Sequence, residues 1–419
     1  MIRASKIVSG PAGPVCRVLA LAALLAVLGF SGPARAGLPI RVLLVRGGLS
    51  VRVFADATLR IYALAEERLL YAAEGGGSLL VRARGDRVLI GEAGGRSLPA
   101  GGVRFRAFGG PIRLNGTPYR GAIDVSASGG RLWVVNTVRL EDYLRGVVGR
   151  EIRSGWPRPA LQAQAVAART FTLLIRAQAD KKAKGRALFH LTAGTGDQVY
   201  GGVPAENPAI DAAVAATDGL VVTYKGKIAR AFFHASSGGR TEAVGAVWPS
   251  IGLPYLRGVP VPLERGDPAQ EWRATVGLGA LRRALVRTGR FVGRIRAVTV
   301  VGRTASGRAS RVRIDHRGGR LTVRAALLRR VLGYTRVRST LFRIDRNRDV
   351  LIFRGRGFGH GVGMSQQGAR LLAESGKSYT EILAFFYPGT SLLRAEEAAF
   401  PDAELLVPQE IDDLSLLLR

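Results

Sequence analysis

Residues 140–174, LEDYLRGVVGREIRSGWPRPALQAQAVAARTFTLL, constrain the fold of this chain more than any other stretch. They open on Glu141 and Asp142, set a lone Glu151 ahead of a Gly-Trp-Pro turn, and continue into an alanine-rich segment. Pro157 and Pro159 suit a first helical turn, where the N–H groups they lack would have no intrahelical partner. Residues 161–179 contain neither Pro nor Gly, and Leu161, Ala165, Ala168 and Thr172 recur at helical spacing, so a long helix is expected to start just after Glu151. Side chains this small let another element pack close. Glu151 then stands in the turn leading into a buried helix, with Gln162, Gln164 and Arg169 further along it. Desolvation there raises a carboxyl pKa, whereas Arg169 would hold it charged; either state serves acid–base chemistry. The competing reading is a salt-bridged or capping carboxylate near a helix start, favoured by the dipole.

Charge and the N-terminus bound the partners. A formal net charge of +31 predicts attraction to polyanions, with nucleic acid the first candidate by charge alone. However, Arg3, Lys6 and Arg17 precede an apolar run at 18–30 and then Ala34-Arg35-Ala36, the pattern of a secretory signal peptide over residues 1–36. The run is shorter than the roughly 20 residues a membrane span needs. Export to the periplasm or cell envelope is therefore expected, with an uncleaved N-terminal anchor as the alternative. An exported chain meets anionic envelope polymers, not nucleic acid. Cys16, the single cysteine, precedes the apolar run, so the mature chain would lack disulfides, thiolate chemistry and Cys-ligated zinc.

The rest of the chain reads as α+β and strand-rich. In residues 37–115 the short alternating segments IRVLLV, LSVRVFA, SLLVRAR and RVLIGE, separated by glycine-rich turns, predict an N-terminal antiparallel β unit. Residues 116–395 form the expected core domain, built around the long alanine-rich helix. An arginine-rich subdomain is expected to be inserted at 264–343, and an acidic tail at 396–419.

Three blocks carry a resemblance. They are LEDYLRGVVGREI with ALQAQAVAARTF, then FFHASSGGRTE with LPYLRGV, and finally GRGFGHGVGMSQQGA with SYTEIL and FYPGT. In this order they resemble the stage II sporulation protein D / amidase-enhancer family of secreted bacterial cell-wall proteins, over residues 119–393. The resemblance implies a lytic transglycosylase that cuts peptidoglycan glycan strands, with Glu151 matching the catalytic glutamate and Arg169 the helix arginine. Where the family commonly has a lysine, this chain has Gln162. Some members bind zinc next to the segment before Gln198; here Thr192 and Asp197 stand at the cysteine-like positions, so no metal and no other cofactor is expected.

A lytic transglycosylase needs only one carboxyl group, because the 6-hydroxyl of the substrate attacks C1 and one glutamate serves as acid and then base. Further substrate-binding candidates are His234 and Ser236 beside the SSGG turn, His360 and Gln366 in the glycine-rich third block, and Gln198 and Tyr200. Trp156 and Trp248 are possible sugar platforms. For each of these, core packing is the competing reading. The glycine run at 355–363 is expected to bring backbone close to substrate. No Walker lysine follows it, which argues against a nucleotide loop. The expected function is cleavage of the MurNAc–GlcNAc bond with 1,6-anhydro-MurNAc formation. The alternative is a non-catalytic, wall-binding activator of an N-acetylmuramoyl-L-alanine amidase, with a cell-wall amidase as partner.

Overall fold

Apolar alternation in the first third of the chain produces two sheets around one core. The computed structural model describes residues 38–91, 98–194 and 197–401; the expected signal peptide and all but the first residues of the acidic tail lie outside the described residues. Strand Pro39–Gly48 pairs antiparallel with Arg131–Arg139, from Pro39↔Arg139 to Gly48↔Leu132, and parallel with Leu191–Thr192. The seven-stranded sheet continues through Ala122–Ser128, Gly102–Phe108, Thr58–Ala63 and Leu69–Ala73. A six-stranded sheet containing Ser50–Ala55 and Gly77–Arg84 faces it. Val53, Val81, Phe105, Ile123 and Val134 are all buried in the shared core. The β-rich part therefore does not stop at residue 115. Strands 122–128 and 131–139 supply the partners that the earlier strands need, leaving no bare interior edge.

Strand 131–139 leads directly into helix Leu140–Glu151, and a tight turn separates it from helix Arg158–Lys182. The long helix expected after Glu151 is therefore present as one element, and a further helix that was not expected precedes it, with Glu151 as its last residue. The long helix is a wall between two cores. Ala160, Ala163 and Ala167 face one cluster with Met364 and Phe386, while Leu161, Ala165 and Ala168 face another with Tyr143 and Ile210. Small side chains on both faces allow this double packing.

Between Glu271 and Arg356 the chain forms two three-stranded sheets and the helices Leu278–Val286 and Ala325–Leu332 around a core of their own, from Trp272 to Phe353. This core extends ten residues past the expected end of the insertion at 343. Strand Phe233–His234 then pairs parallel with Met364–Ser365, ahead of helices Gln366–Glu374 and Tyr379–Phe386. Strand exceeds helix, 39% against 27%, which makes the fold α+β and strand-rich.

The glycine run approaches the protein itself. A Cβ on Gly363 would lie 2.0 Å from the Phe232 carbonyl oxygen, one on Gly359 would lie 2.6 Å from His234 Cβ, and both residues have positive φ. The glycines let this segment lie against residues 232–238.

Candidate active site

Two glycines set the position of Glu151. A Cβ on Gly149 would lie 1.9 Å from the Ala205 carbonyl oxygen, and one on Gly146 would lie 2.6 Å from the Tyr200 ring. Their absence of side chains lets the segment 199–206 lie on helix 140–151. The Val199 N–H then donates to Glu151 Oε1 at 3.1 Å. From the other side, Ser365 caps helix 366–374 by accepting from the Gly368 N–H at 3.2 Å. That cap starts the helix at Gln366, whose Nε2 lies 3.4 Å from both Glu151 Oε2 and Gln164 Oε1.

Burial raises the Glu151 pKa above the ordinary glutamate value, while the Val199 N–H and the Gln366 amide act in the opposite direction. The last turn of a helix also disfavours an anion. The dipole argument for a capping carboxylate therefore runs the wrong way here, because Glu151 sits at a C-terminus.

Glu151 lines an open cavity of about 710 Å³, together with Trp156, Glu206, Ser236, Phe358 and Gln366. Arg150, Arg153 and Arg338 add positive charge to the wall, and the Arg338 guanidinium lies 5.9 Å from the centre of the Phe358 ring. Two other carboxylates reach this wall, and both are engaged. Glu206 accepts from Arg120 at 2.7 and 2.6 Å. Asp267 accepts from the Ala269 N–H at 2.9 Å and from Gln270 Nε2 at 3.2 Å.

The residues singled out from the sequence divide into two sets. Glu151, Ser236, Gln366 and Trp156 meet at the cavity. Ser236 is committed, with its hydroxyl bonded to Gln270 and 3.2 Å from Glu264 Oε2. The remainder lie off the wall. Arg169 is fully buried and forms a two-pronged ion pair with Glu141, at 2.8 and 2.6 Å, with further bonds to the Leu220 and Val214 carbonyls. It balances that carboxylate, not Glu151. Gln198 staples the core by accepting from Tyr143 and Thr172 and donating to the Ala168 carbonyl. The Tyr200 hydroxyl donates to Asn136 at 2.9 Å, with its ring against Tyr119 and Tyr143.

His234 and His360 come within 5.6 Å of each other, in a cluster where Trp248 stacks on Phe232. Trp248 is thus core-packed. Burial pushes the His360 pKa down to about 3, aided by Arg329 and Arg308, and holds His234 well below the ordinary histidine range. Both rings are neutral. Neither Gln162 nor Gln164 lines the cavity; Gln164, two residues on, is the helix glutamine that the Gln366 amide reaches at 3.4 Å. Helical phase decides this: with Glu151 in a separate helix, distance along the sequence no longer predicts which residue faces it. Sequence reasoning passed over Phe358, Glu206 and Arg338 altogether. Phe358 had one signal, an aromatic between glycines with no partner in the alternation pattern.

The zinc-binding segment of some family members has a different use here. Asp197 Oδ2 accepts from both the Thr192 N–H and hydroxyl at 2.7 Å, and the His190 ring nitrogens are occupied by Arg41 and Asp180. This donor set does not fit a zinc ion, and among the described residues no group of three metal-ligating side chains is assembled.

The fold and cavity define a mixed α+β protein with an open cleft around a half-buried, incompletely bonded carboxylate. Residues 128–224 match the family model described as Stage II sporulation protein, and residues 265–363 match a domain of unknown function. The chain is 33% identical over 272 residues to stage II sporulation protein D of Bacillus amyloliquefaciens, covering 62% of this chain and 76% of that one. An uncharacterized protein of Brachyspira hyodysenteriae is 32% identical over 281 residues, covering 67% and 73%. The amidase enhancer of Bacillus subtilis is 29% identical over 294 residues, covering 59% of this chain and 40% of the enhancer. The chain belongs to the stage II sporulation protein D and amidase enhancer family.

Proposed function

We propose that this protein is an exported lytic transglycosylase that cleaves the MurNAc–GlcNAc bond of peptidoglycan glycan strands, with Glu151 as both acid and base. Family membership supports a role in the bacterial cell wall. One observation carries the finer reading: of the carboxylates on the cavity wall, Glu206 and Asp267 are committed to neighbours, and Glu151 alone combines a raised pKa with incomplete bonding.

One free carboxyl suits an intramolecular nucleophile. Protonated Glu151 donates to the leaving O4 of GlcNAc as the C1–O4 bond breaks. The MurNAc O6 hydroxyl attacks C1 and gives its proton back to Glu151, so an anhydro ring forms and no water is consumed. Since nucleophile and electrophile belong to one sugar, rate comes from holding that sugar bent. Phe358 and Trp156 offer apolar faces for the rings, and Arg338, Arg150 and Arg153 suit the lactyl carboxylates.

The test uses purified glycan strands with the mature protein and with Glu151→Gln, followed by mass spectrometry of strand ends. Anhydro-muramyl ends from the first and not from the second support the reading. Equal yields from both would remove Glu151 from the chemistry.

A second reading, an amidase activator, draws on the surface charge. In the 271–356 subdomain Arg273, Arg354 and Arg343 stand opposite one another across three strands, and Arg311 faces Arg324 in the other sheet. Like charges placed in register cost stability; Asp345, 3.2 Å from Arg354 and 4.0 Å from Arg343, offsets part of that cost, and an anionic envelope polymer would offset more of it. An activator keeps its effect on an amidase when Glu151 is replaced.

A further inference from the structure

Gln366, on the cavity wall, and Gln164, which its amide reaches, are both buried, at 5% and 1% exposure. Gln366 Nε2 spends one hydrogen on Glu151 Oε2 and the other on Gln164 Oε1. Gln164 Nε2 has no partner among the described residues. A buried amide donor left unmade is costly, and a well-packed core seldom retains one. The arrangement also meets a conflict as soon as Glu151 takes a proton. Oε1 faces the Val199 N–H and must remain an acceptor, so the proton belongs on Oε2. There it points at the Gln366 NH₂, donor against donor.

We propose that the two glutamines form an amide relay that turns over with the protonation state of Glu151, with Gln366 and Gln164 acting as positioning residues. The proposal rests on the acid–base reading of Glu151 given above. In the carboxylate form the relay runs as observed, with the Gln366 NH₂ donating to Glu151 and to Gln164. In the acid form both amides rotate by half a turn. Gln366 Oε1 then accepts from the Glu151 Oε2–H and from Gln164 Nε2, the donor that had no partner. An amide oxygen has two lone pairs and an amide nitrogen two hydrogens, so the middle of the chain stays satisfied in both states. The rotated Gln366 NH₂ is left facing the cavity that this residue lines.

The relay addresses the problem that one residue must serve two roles. Before bond cleavage the relay accepts from Glu151–OH and holds the proton on Oε2. As C1–O4 breaks, that proton passes to O4, the amides turn, and the new carboxylate gains a donor. As O6 closes on C1, the O6 proton returns to Oε2 and the amides turn back. Rotation of an amide is far faster than turnover of an enzyme.

Two measurements test it. The first follows the side-chain NH₂ signals of Gln366 and Gln164 by ¹⁵N NMR against pH, in the full chain and in Glu151→Gln, with no substrate present. Both signals should titrate together in the first and stay flat in the second. A Gln164 signal that ignores the pH range in which Gln366 titrates overturns the relay. The second is a double-mutant cycle on glycan cleavage with Gln164→Met and Gln366→Met. Each single variant should lose activity by about tenfold and shift the pH profile, and the double variant should be no worse than Gln366→Met alone. Additive losses overturn the relay. If the signals titrate together but no anhydro ends appear with any protein, the relay survives and the transglycosylase reading fails. If strands are cut but Gln164 stays flat, the reverse holds.

Discussion

Glu151 and Glu264 are served by adjacent residues and differ in almost everything else. Gln366 reaches Glu151, and Ser365 donates to Glu264 Oε1. Glu264 is 1% exposed, and its Oε2 accepts from the Ser237 N–H at 2.8 Å, the Ser237 hydroxyl at 2.9 Å and the Gly238 N–H at 3.0 Å. A Cβ on Gly368 would come within 2.7 Å of Glu264 Oε1, so even the backbone is shaped to it. Glu264 ties the SSGG turn to the start of helix 366–374. Glu151 has a backbone N–H, one distant amide and an open cavity. Donors aimed at a carboxylate fix it as structure, and unfilled valence beside a cavity leaves it free to exchange a proton.

Replacing Glu264 tests that contrast with the largest expected effect. Glu264→Gln sets an NH₂ against buried donors and should lower unfolding stability by about 3 kcal/mol or more, read as a shift of the urea midpoint. An unchanged midpoint would mean that the bonds around Glu264 carry no weight.

Glu151→Gln should behave in the opposite way. Glycan cleavage should fall by about 10³-fold, the range of a lost general acid. Stability near neutral pH should hold or rise by up to about 1 kcal/mol. The sign follows from linkage: the folded protein holds the Glu151 proton more tightly than the unfolded chain does. That contribution is present below the ordinary glutamate pKa and is lost as pH rises through the raised folded value. Glutamine removes the loss, so its advantage should shrink to nothing on acidification. Thermal melts of both proteins from pH 4 to 8 show it, and an advantage independent of pH would deny that Glu151 is strained by burial.

Acid should also act through the histidines, at smaller amplitude. His360 is held neutral, with its pKa pushed from 6.5 to about 3, and His234 is shifted the same way. The unfolded chain binds more protons between these values, so stability should drop as pH falls from 6.5 towards 3. His360→Gln should flatten that slope without moving the pH dependence that Glu151 gives to cleavage. If it moves the cleavage profile, the His234–His360 cluster belongs to the site after all.

Local features were legible in the sequence, and pairing across distance was not. The alternating strands at 50–55, 77–84 and 87–91 and the alanine-rich helix at 158–182 announce themselves through turn residues and spacing. Glu151 was visible because a carboxylate beside a tight turn and an alanine helix is chemically exposed. Its donor Gln366 lies 215 residues away, and nothing local specifies that contact. Arg169 was assigned to the nearer interesting glutamate, when the strand-to-helix junction delivers Glu141 to it instead. The glycine run was read as bringing backbone close to substrate; its glycines lie against residues 232–238, and Gly357 and Phe358 of the same run line the cavity, because sequence shows where backbone must fit tightly but not against what.

The smallest effect is expected at the aromatic edge of the cavity, where it sharpens the contrast between binding and chemistry. Phe358 is 38% exposed and touches no core, whereas Trp156 packs against both cores that meet at the long helix. Phe358→Leu therefore keeps the fold and removes only a flat surface for a sugar ring. A ring held equally in ground and transition states contributes to KM and not to kcat. The loss of one such face is worth about 1 kcal/mol, so KM for glycan strands should rise about fivefold with kcat unchanged. Steady-state kinetics on strands of defined length separate the two. A fall in kcat instead would mean that Phe358 helps bend the sugar whose O6 attacks C1, and that the chemistry spreads along the wall beyond Glu151.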